Sequence, residues 1–436
     1  MPALAPGNVI KVSDGSSLTI VAYIASGGQG EVYKVHRKPE DDFLALKWYT
    51  NDTILRSNRF RQTLSALCSR KAPSDTFLWP IAITERFRGG YGYVMRLRPD
   101  EYIDLGKYFC IDENPDAYFR SNLAKLTAGL QICDAFSRLH QSGYSYQDIN
   151  DGSFLIDPHK GRVLICDNDN IVPDGQSNGI AGKPHYMAPE VADGRHPDKA
   201  SDRFSLAIIL YRIFMVDHPF EGALTSTDRE GCLTPEDEIL AFGRKAVFCH
   251  DATDSSNPPV RGLHDNSILF WKQMTPALKH AFRTTLSQKA ISDPRQRLRA
   301  ASWKEILLAE RASLATCTCD GLVHDYLCHG NMPAECPICG SAPGLSAWLT
   351  FGDSAPSYRL TDHKPLFLGN SSVPTGVCYT TKVAGSDRLV LVNKSVSPWT
   401  AVLPSGRCLA VPPQSNCIIT DGMSLLMGSF LAKVRI

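Results

Sequence analysis

Apolar positions in the first two thirds of the chain change their spacing once. Residues from about Val9 to Leu97 form short alternating or continuous apolar runs between glycine-rich turns, with one helical stretch from Ile54 to Leu67. From Leu123 the spacing is helical, and one apolar stripe contains Leu123, Leu126, Leu130, Cys133, Phe136 and Leu139. Helical periodicity continues to about Leu307. The pattern predicts a small β-rich lobe followed by a larger helix-rich lobe.

The pattern changes again in the last quarter of the chain. Residues 312–343 are rich in Cys, Gly and Pro, and this segment is too short to bury a core of its own. From Ala347 to Ile436 short β-like runs alternate with Gly, Pro, Asn and Ser turns, which predicts an all-β sandwich. The predicted fold class is therefore α+β. We expect a two-lobed domain over residues 1–310, a small metal-held knuckle over 311–343 and the sandwich over 344–436.

Composition and charge exclude several classes of protein. The chain has 436 residues, and 46 Lys and Arg against 45 Asp and Glu leave a net charge of +1, so we expect neither a nucleic-acid nor a membrane partner. The longest apolar run, Phe204 to Val216, contains Arg212 and is shorter than the ~20 residues of a membrane span. The N-terminus lacks the basic start and apolar stretch of a signal peptide. These features predict a cytoplasmic protein.

Five of the 14 cysteines cluster between Cys317 and Cys339, which favours a metal site over disulfides. Cys336 and Cys339 form a C-x₂-C pair, whose spacing lets two thiolates reach one ion from a tight turn. Cys319 and His324 supply a C-x₄-H pair. The sequence predicts a structural Zn²⁺ site on Cys319, His324, Cys336 and Cys339, with Cys317 and then Cys328 as alternates.

Five further motifs follow one another along the first two hundred residues. A glycine-rich turn at 27–30 joins two strands and lets backbone N–H groups approach phosphates. Lys47 ends an apolar strand, where a lysine is rare unless it meets an anion. Tyr146-Gln147-Asp148 and Cys166-Asp167-Asn168-Asp169 come next, followed by Met187-Ala188-Pro189-Glu190.

In this order and spacing, the motifs of residues 13–307 resemble those of bacterial eukaryotic-like Ser/Thr protein kinases. The resemblance implies a bilobal protein-kinase fold, with the N-lobe at about 9–97 and the C-lobe at about 98–307. It implies that ATP and Mg²⁺ (or Mn²⁺) are cofactors and that a protein is the substrate. Lys47 would bind the α- and β-phosphates, Asp148 would be the catalytic base and Asp167 would bind Mg²⁺.

The resemblance also implies a larger set of site residues. The nucleotide would contact Gly27, Gly28, Gly30, Val32, Ala45, Lys47, Met95 at the gatekeeper position, Leu97, Ser153 and Asp167. Mg²⁺ would be held by Asp167, Ser153 and Asn150. Glu190 would pair with Arg297, and Asp202 would brace the catalytic loop.

Several positions depart from the family pattern. Tyr146-Gln147 replaces His-Arg before Asp148, which makes the catalytic loop non-RD, and Ser153 replaces the metal-binding Asn. The stretch from Asn51 to Leu67 contains no Glu to pair with Lys47, and Gln62 is the nearest candidate. Asp169, two residues after Asp167, is an additional acid that we expect to face metal. An active Ser/Thr kinase is the favoured interpretation, and a pseudokinase that serves as a nucleotide-binding scaffold is the alternative.

The C-terminal β unit resembles a degenerate forkhead-associated domain. Asn370 stands where phosphothreonine-binding members have Arg, and Pro398-Trp399 stands where they have Asn-Gly, so we expect a docking module. The combination of a kinase, a zinc knuckle and a β module resembles bacterial kinases of tellurite-resistance and stress phosphorylation systems. That resemblance implies a metal-dependent protein phosphatase and a von Willebrand A domain protein as partners.

Overall fold

The structure is a computed structural model, and it describes residues 2–110, 118–177, 179, 182–226, 234–328, 335–352 and 356–436. The described residues form helices and strands up to about residue 313, followed by sheets alone. The α+β class expected from the sequence is confirmed at this level.

The N-terminal lobe is an antiparallel sheet with one pair of helices. Its strands, in the spatial order β1-β2-β3-β4-β6-β5, are β1 (Val9–Lys11), β2 (Ser17–Ser26), β3 (Gly30–Lys38), β4 (Asp42–Tyr49), β5 (Ala82–Ile83) and β6 (Gly92–Arg96). Strand β4 is buried on both faces. Leu44, Leu46 and Trp48 join the core on one face, so the alternating residues, Lys47 among them, point to the other face.

The predicted helical stretch from Ile54 to Leu67 is two helices, α1 (Asp52–Arg56) and α2 (Asn58–Cys68). Ser57 breaks the stretch because its backbone is extended, with φ −81° and ψ 101°. Its side chain accepts a hydrogen bond of 3.1 Å from Phe60 N and so caps the start of α2.

The second lobe is mostly helical. Its helices are α3 (Leu105–Tyr108), α4 (Asn122–Gln141), α5 (Pro189–Ala192), α6 (Lys199–Met215), α7 (Pro235–Phe242), α8 (Asp265–Gln273), α9 (Pro276–Leu286), α10 (Gln288–Ser292) and α11 (Ala300–Ser313). Its short strands are β7 (Ile103–Asp104), β8 (Tyr144–Ser145), β9 (Phe154–Asp157), β10 (Arg162–Ile165) and β11 (Val172–Pro173). The apolar stripe predicted from Leu123 lies on α4, which packs with α6 in the centre of the core.

The remaining strands form a hairpin and two sheets. The hairpin pairs β12 (Ala315–Cys317) with β13 (His324–Tyr326). The sheet strands are β14 (Ala347–Thr350), β15 (Tyr358–Leu360), β16 (Pro365–Leu366), β17 (Gly376–Val383), β18 (Ser386–Asn393), β19 (Trp399–Val402), β20 (Cys408–Val411), β21 (Asn416–Ile418), β22 (Ser424–Met427) and β23 (Phe430–Arg435). One sheet has the order β15-β14-β23-β22-β19-β20 and the other the order β16-β17-β18-β21. Leu349 of the first and Leu391 of the second share one core, so the two sheets form a sandwich.

Two buried basic side chains join the sandwich to the end of helix α11. Arg311 donates hydrogen bonds to the carbonyl oxygens of Ser371 (2.9 Å) and Gly369 (2.7 Å). Lys364 Nζ donates to the carbonyl oxygens of Ala312 (2.7 Å) and Leu314 (2.6 Å) at the helix C-terminus. Helix α11 therefore ends against side-chain and backbone groups of the sandwich.

No helix among the described residues combines the length and the apolar character that crossing a membrane requires.

A buried ion pair joins helix α5 to the loop before α11. Arg297 donates to Glu190 Oε1 (2.6 Å) and Oε2 (2.8 Å), and its side chain is fully buried. Arg297→Ala leaves the carboxylate without its partner, so we expect the free energy of unfolding to fall by about 3–5 kcal/mol in urea denaturation. Arg295→Ala, in the same loop but 88% exposed, is the control and should leave the midpoint nearly unchanged. Equal midpoints for both variants would contradict a stabilising role for the pair.

Candidate functional site

A cleft of about 690 Å³ lies between the two lobes. The glycine-rich turn and strand β4 line one side of it, and the segment after β10 lines the other. The predicted nucleotide-binding residues that line it are Gly27, Gly28, Gly30, Val32, Ala45, Lys47, Met95, Leu97 and Asp167, together with the predicted base Asp148. Ser153 does not line the cleft.

Lys47 is the charged centre of this cleft. Its buried ammonium donates to Asp167 Oδ1 (2.9 Å), to Asp169 Oδ1 and Oδ2 (2.9 and 3.0 Å) and to Gln29 Oε1 (2.8 Å). Burial lowers the pKa of Lys47, but the charges of Asp167 and Asp169 outweigh burial and raise it above its usual value. These contacts favour the charged form of Lys47, and its ammonium group has an acceptor for each of its N–H groups.

Asp169 contacts two tyrosines as well as Lys47. Tyr49 OH donates to Oδ2 at 2.8 Å, and Tyr93 OH donates to Oδ1 at 3.2 Å. Burial raises the pKa of both phenols, which keeps them protonated as donors. The expectation that Asp169 faces a metal ion is not met, because its carboxylate is fully buried and both oxygens accept hydrogen bonds.

The glycine-rich turn packs closely against strand β4 at Gly30 and is open at Gly27 and Gly28. A Cβ on Gly30 would lie 2.1 Å from the Trp48 carbonyl oxygen, so glycine is required at this position. Gly27 and Gly28 have nothing within 4 Å of such an atom. Their backbone leaves room for a ligand under the turn.

Asp148, the predicted catalytic base, accepts hydrogen bonds through one of its two carboxylate oxygens. Oδ1 accepts hydrogen bonds from Asn150 Nδ2 (2.8 Å) and from the backbone N of Lys183 (3.0 Å). Oδ2 has no hydrogen-bond partner among the residues that the structure describes. Burial raises the pKa of Asp148, and the two hydrogen bonds oppose that shift. This carboxylate can accept a proton or orient a hydroxyl group through Oδ2.

The other two predicted Mg²⁺ ligands are used inside the loop. Ser153 is buried, and its hydroxyl donates to the Asp148 carbonyl oxygen (2.9 Å) and accepts from Asn150 N (3.3 Å). Asn150 Oδ1 accepts from Gly152 N at 2.9 Å. Asp167, whose side chain is 43% exposed, is the predicted metal ligand that opens onto the cleft.

Asp202 braces the loop from helix α6, as the sequence predicted. Its carboxylate accepts from the backbone N of Tyr146 (2.7 Å) and Gln147 (2.9 Å) and pairs with His140 Nε2 at 2.9 Å. The Tyr146 hydroxyl donates to the carbonyl oxygen of Cys166, next to Asp167. These contacts tie Asp148 to Asp167.

A second candidate site lies in the cysteine-rich segment, of which residues 329–334 are outside the described residues. The Sγ atoms of Cys317, Cys319, Cys336 and Cys339 all lie within 4.8 Å of one another. His324 instead groups with Cys319 and Asp320, and its Nε2 lies 2.8 Å from Asp320 Oδ1. Cys328 is buried with Cys336 in a small apolar cluster. The structure thus brings together the three predicted cysteines and the first alternate, Cys317.

Sequence reasoning missed Asp169 as a partner of Lys47, and it missed Gln29, Tyr49 and Tyr93. The available signal was the position of the tyrosines. Tyr49 lies two residues after Lys47, so the two side chains lie on the same face of β4. Tyr93, on the neighbouring strand β6, is the register partner of Lys47. Gln62, the predicted partner, is exposed.

Comparison with known proteins identifies the family. The family model described as the protein kinase domain matches residues 18–303, more than half of the chain. Serine/threonine-protein kinase AtPK1/AtPK6 of Arabidopsis thaliana is 26% identical over 50% of this chain and 46% of its own length. The cAMP-dependent protein kinase type 3 of Saccharomyces cerevisiae is 25% identical over 55% of this chain and 57% of its own length. The Probable serine/threonine-protein kinase CPE1738 of Clostridium perfringens is 23% identical over 48% and 30%. The chain spans about half the length of the curated relatives it matches.

Replacing Asp202 with Ala tests how far this carboxylate stabilises the loop that carries Asp148. The variant removes the acceptor of two buried backbone N–H groups, each worth about 1–3 kcal/mol when left unpaired. We expect the free energy of unfolding to fall by about 2–5 kcal/mol in urea denaturation. Asp52→Ala, whose side chain is 82% exposed, is the control and should unfold at nearly the wild-type midpoint. A midpoint for Asp202→Ala as high as the control's would show that the loop does not depend on this carboxylate.

Proposed function

Because the chain belongs to the protein kinase domain family, we propose that it is an ATP- and Mg²⁺-dependent protein Ser/Thr kinase with a non-RD catalytic loop. The observation that carries this proposal is the convergence of Lys47, Asp148 and Asp167 on one cleft roofed by a glycine turn. Phosphoryl transfer requires positioned charge around the transferred group and a carboxylate that orients the attacking hydroxyl. The three side chains supply both.

Each residue has a distinct part in the proposed reaction. The open turn at Gly27 and Gly28 would receive the phosphates, and Lys47 would donate to them in place of its present bond to the Gln29 amide. Asp167 would hold Mg²⁺, which when bound neutralises charge on the phosphates. Asp148 Oδ2 would accept a hydrogen bond from the substrate hydroxyl while Oδ1 stays bound to Asn150 and Lys183.

The alternative function is that of a pseudokinase, a scaffold that binds nucleotide without transfer. The buried hydroxyl of Ser153 favours it, because Ser153 replaces a metal-binding residue and points into the loop. Retention of the Lys47, Asp148 and Asp167 side chains in one cleft favours the active enzyme. We propose a protein hydroxyl as the substrate because the similar proteins are named as protein kinases. A metal-dependent protein phosphatase and a von Willebrand A domain protein are the proposed partners.

We propose structural Zn²⁺ in the cysteine-rich segment, held by Cys317, Cys319, Cys336 and Cys339. A tetrahedral zinc ion with Zn–S bonds of ~2.3 Å requires sulfur atoms about 3.8 Å apart. Cys317 Sγ and Cys339 Sγ lie 3.8 Å apart. Gly340, at φ 70°, allows the tight turn that follows Cys339.

The β-sandwich is proposed as a docking module of forkhead-associated-like design without phosphothreonine binding. Asn370, which replaces the phosphate-binding Arg of that family, donates to Asp134 Oδ1 on helix α4 at 3.2 Å. Trp399, at the place of the family's Gly, is buried in the sandwich core. Neither side chain is free to receive a phosphate.

Radiolabelled ATP transfer tests the kinase proposal. Asp148→Asn and Asp167→Asn each remove a charge that acts at the transferred group, so we expect transfer to a protein substrate or to the chain itself to fall about 100-fold or more. Asp100→Asn, at an exposed position two residues after the cleft-lining Arg98, is the matched control and should retain activity. Nucleotide binding by the wild type with no transfer above the two Asp variants would establish the pseudokinase instead.

Elemental analysis of purified protein tests the zinc site. We expect about one zinc ion per chain, lost in Cys317→Ser and retained in His324→Ala, because the thiol and not the imidazole completes the four-ligand group. The Cys317→Ser protein should also melt at a lower temperature, since a segment this short depends on its ion. Zinc retained in Cys317→Ser but lost in His324→Ala would reverse the assignment.

A further inference from the structure

The two carboxylates that contact Lys47 differ in their surroundings. Asp167 is 43% exposed and opens onto the cleft, whereas the Asp169 side chain is fully buried. A buried carboxylate with both oxygens engaged has no position left for a metal ion. The two acids therefore have different tasks, although they are separated by one residue.

Asp169 is held in place from three directions. The turn at Asn168–Asn170 carries it, and Asn168 Nδ2 donates to the Ile165 carbonyl oxygen at 3.0 Å. The hydroxyls of Tyr49 and Tyr93 reach it from strands β4 and β6. Because its neighbours fix the carboxylate, Asp169 in turn fixes the ammonium of Lys47.

Helix α2 contributes no charge to this arrangement. Its buried residues are Phe60, Leu64 and Leu67, and the Phe60 ring packs edge-on against Tyr49 with the ring centroids 5.4 Å apart. In protein kinases a Glu on this helix pairs with the strand lysine. Here the helix is held by apolar packing.

We propose that Asp169 is the positioning residue of Lys47, in the place of the missing helix Glu, and that it keeps the ammonium aimed at the nucleotide phosphates when Asp167 binds Mg²⁺. The proposal rests on the proposed function only in taking a nucleotide as the ligand of the cleft. It has a consequence for regulation: displacement of helix α2 does not remove the partner of Lys47. The position of the Lys47 side chain depends instead on the segment that follows Asp167.

Nucleotide binding by a double-mutant cycle tests this role without requiring transfer. Lys47→Ala, Asp169→Asn and the double variant are titrated with Mg²⁺·ATP and with adenosine. We expect Asp169→Asn to weaken ATP binding by about tenfold, the effect of losing one charge-assisted contact, and to leave adenosine binding within about twofold. The double variant should bind ATP no more weakly than Lys47→Ala, because Asp169 acts through Lys47.

Thermal denaturation of the same variants gives a second readout. Lys47→Ala leaves Asp169 buried without its cation, so the double variant should melt at a higher temperature than Lys47→Ala alone. Gln62→Ala, on the exposed face of α2, is the control and should match the wild type in both measurements.

Equal losses of ATP and adenosine binding in Asp169→Asn, or losses that add in the double variant, would show that Asp169 serves folding alone and would overturn the proposal. A wild type that binds ATP but transfers nothing would instead refute the kinase function and leave this inference standing.

Discussion

The buried ammonium of Lys47 joins the parts of the cleft that come from distant regions of the sequence. Strand β4 supplies the lysine, the segment after β10 supplies Asp167 and Asp169, and the glycine turn supplies Gln29. A buried charge without partners is strongly destabilising, so these segments must stay together for the ammonium to stay buried. The same contacts leave Asp167 exposed to the cleft and keep the Asp169 side chain buried.

The loop that carries Asp148 is attached to this centre by hydrogen bonds. The Tyr146 hydroxyl bonds the carbonyl oxygen before Asp167, and Asp202 holds the backbone of Tyr146 and Gln147. The Gln147 amide, at the position of the usual Arg, donates to the backbone carbonyls of Gln176 (2.5 Å) and Pro197 (3.2 Å). A neutral amide bonded to the backbone holds the segment after Asp167 directly, and it offers no charge to a phosphate.

Much of the site could be predicted from the sequence, because Lys47, Asp148 and Asp167 stand in motifs whose order reflects the fold. The partners of these residues could not be predicted. The role of Asp169 depends on two tyrosines that meet it only when β4 and β6 pair. Cys317 could be named from the sequence only as an alternate zinc ligand, because its place beside Cys336 depends on the β12–β13 hairpin. The apolar pattern of the sequence does not reveal strand β17, because Thr381 and Lys382 are exposed and interrupt that pattern. Local pattern identifies residues, whereas tertiary pairing assigns their contacts.

The most direct measurement is a crystal structure of the chain with Mg²⁺ and a non-hydrolysable ATP analogue. We expect Asp167 to coordinate the ion, Lys47 to contact a phosphate oxygen, and Lys47 Nζ to stay at about 3 Å from the buried Asp169 carboxylate. Coordination of the ion by Asp169, or a Lys47 side chain turned away from both the phosphates and Asp169, would contradict this arrangement.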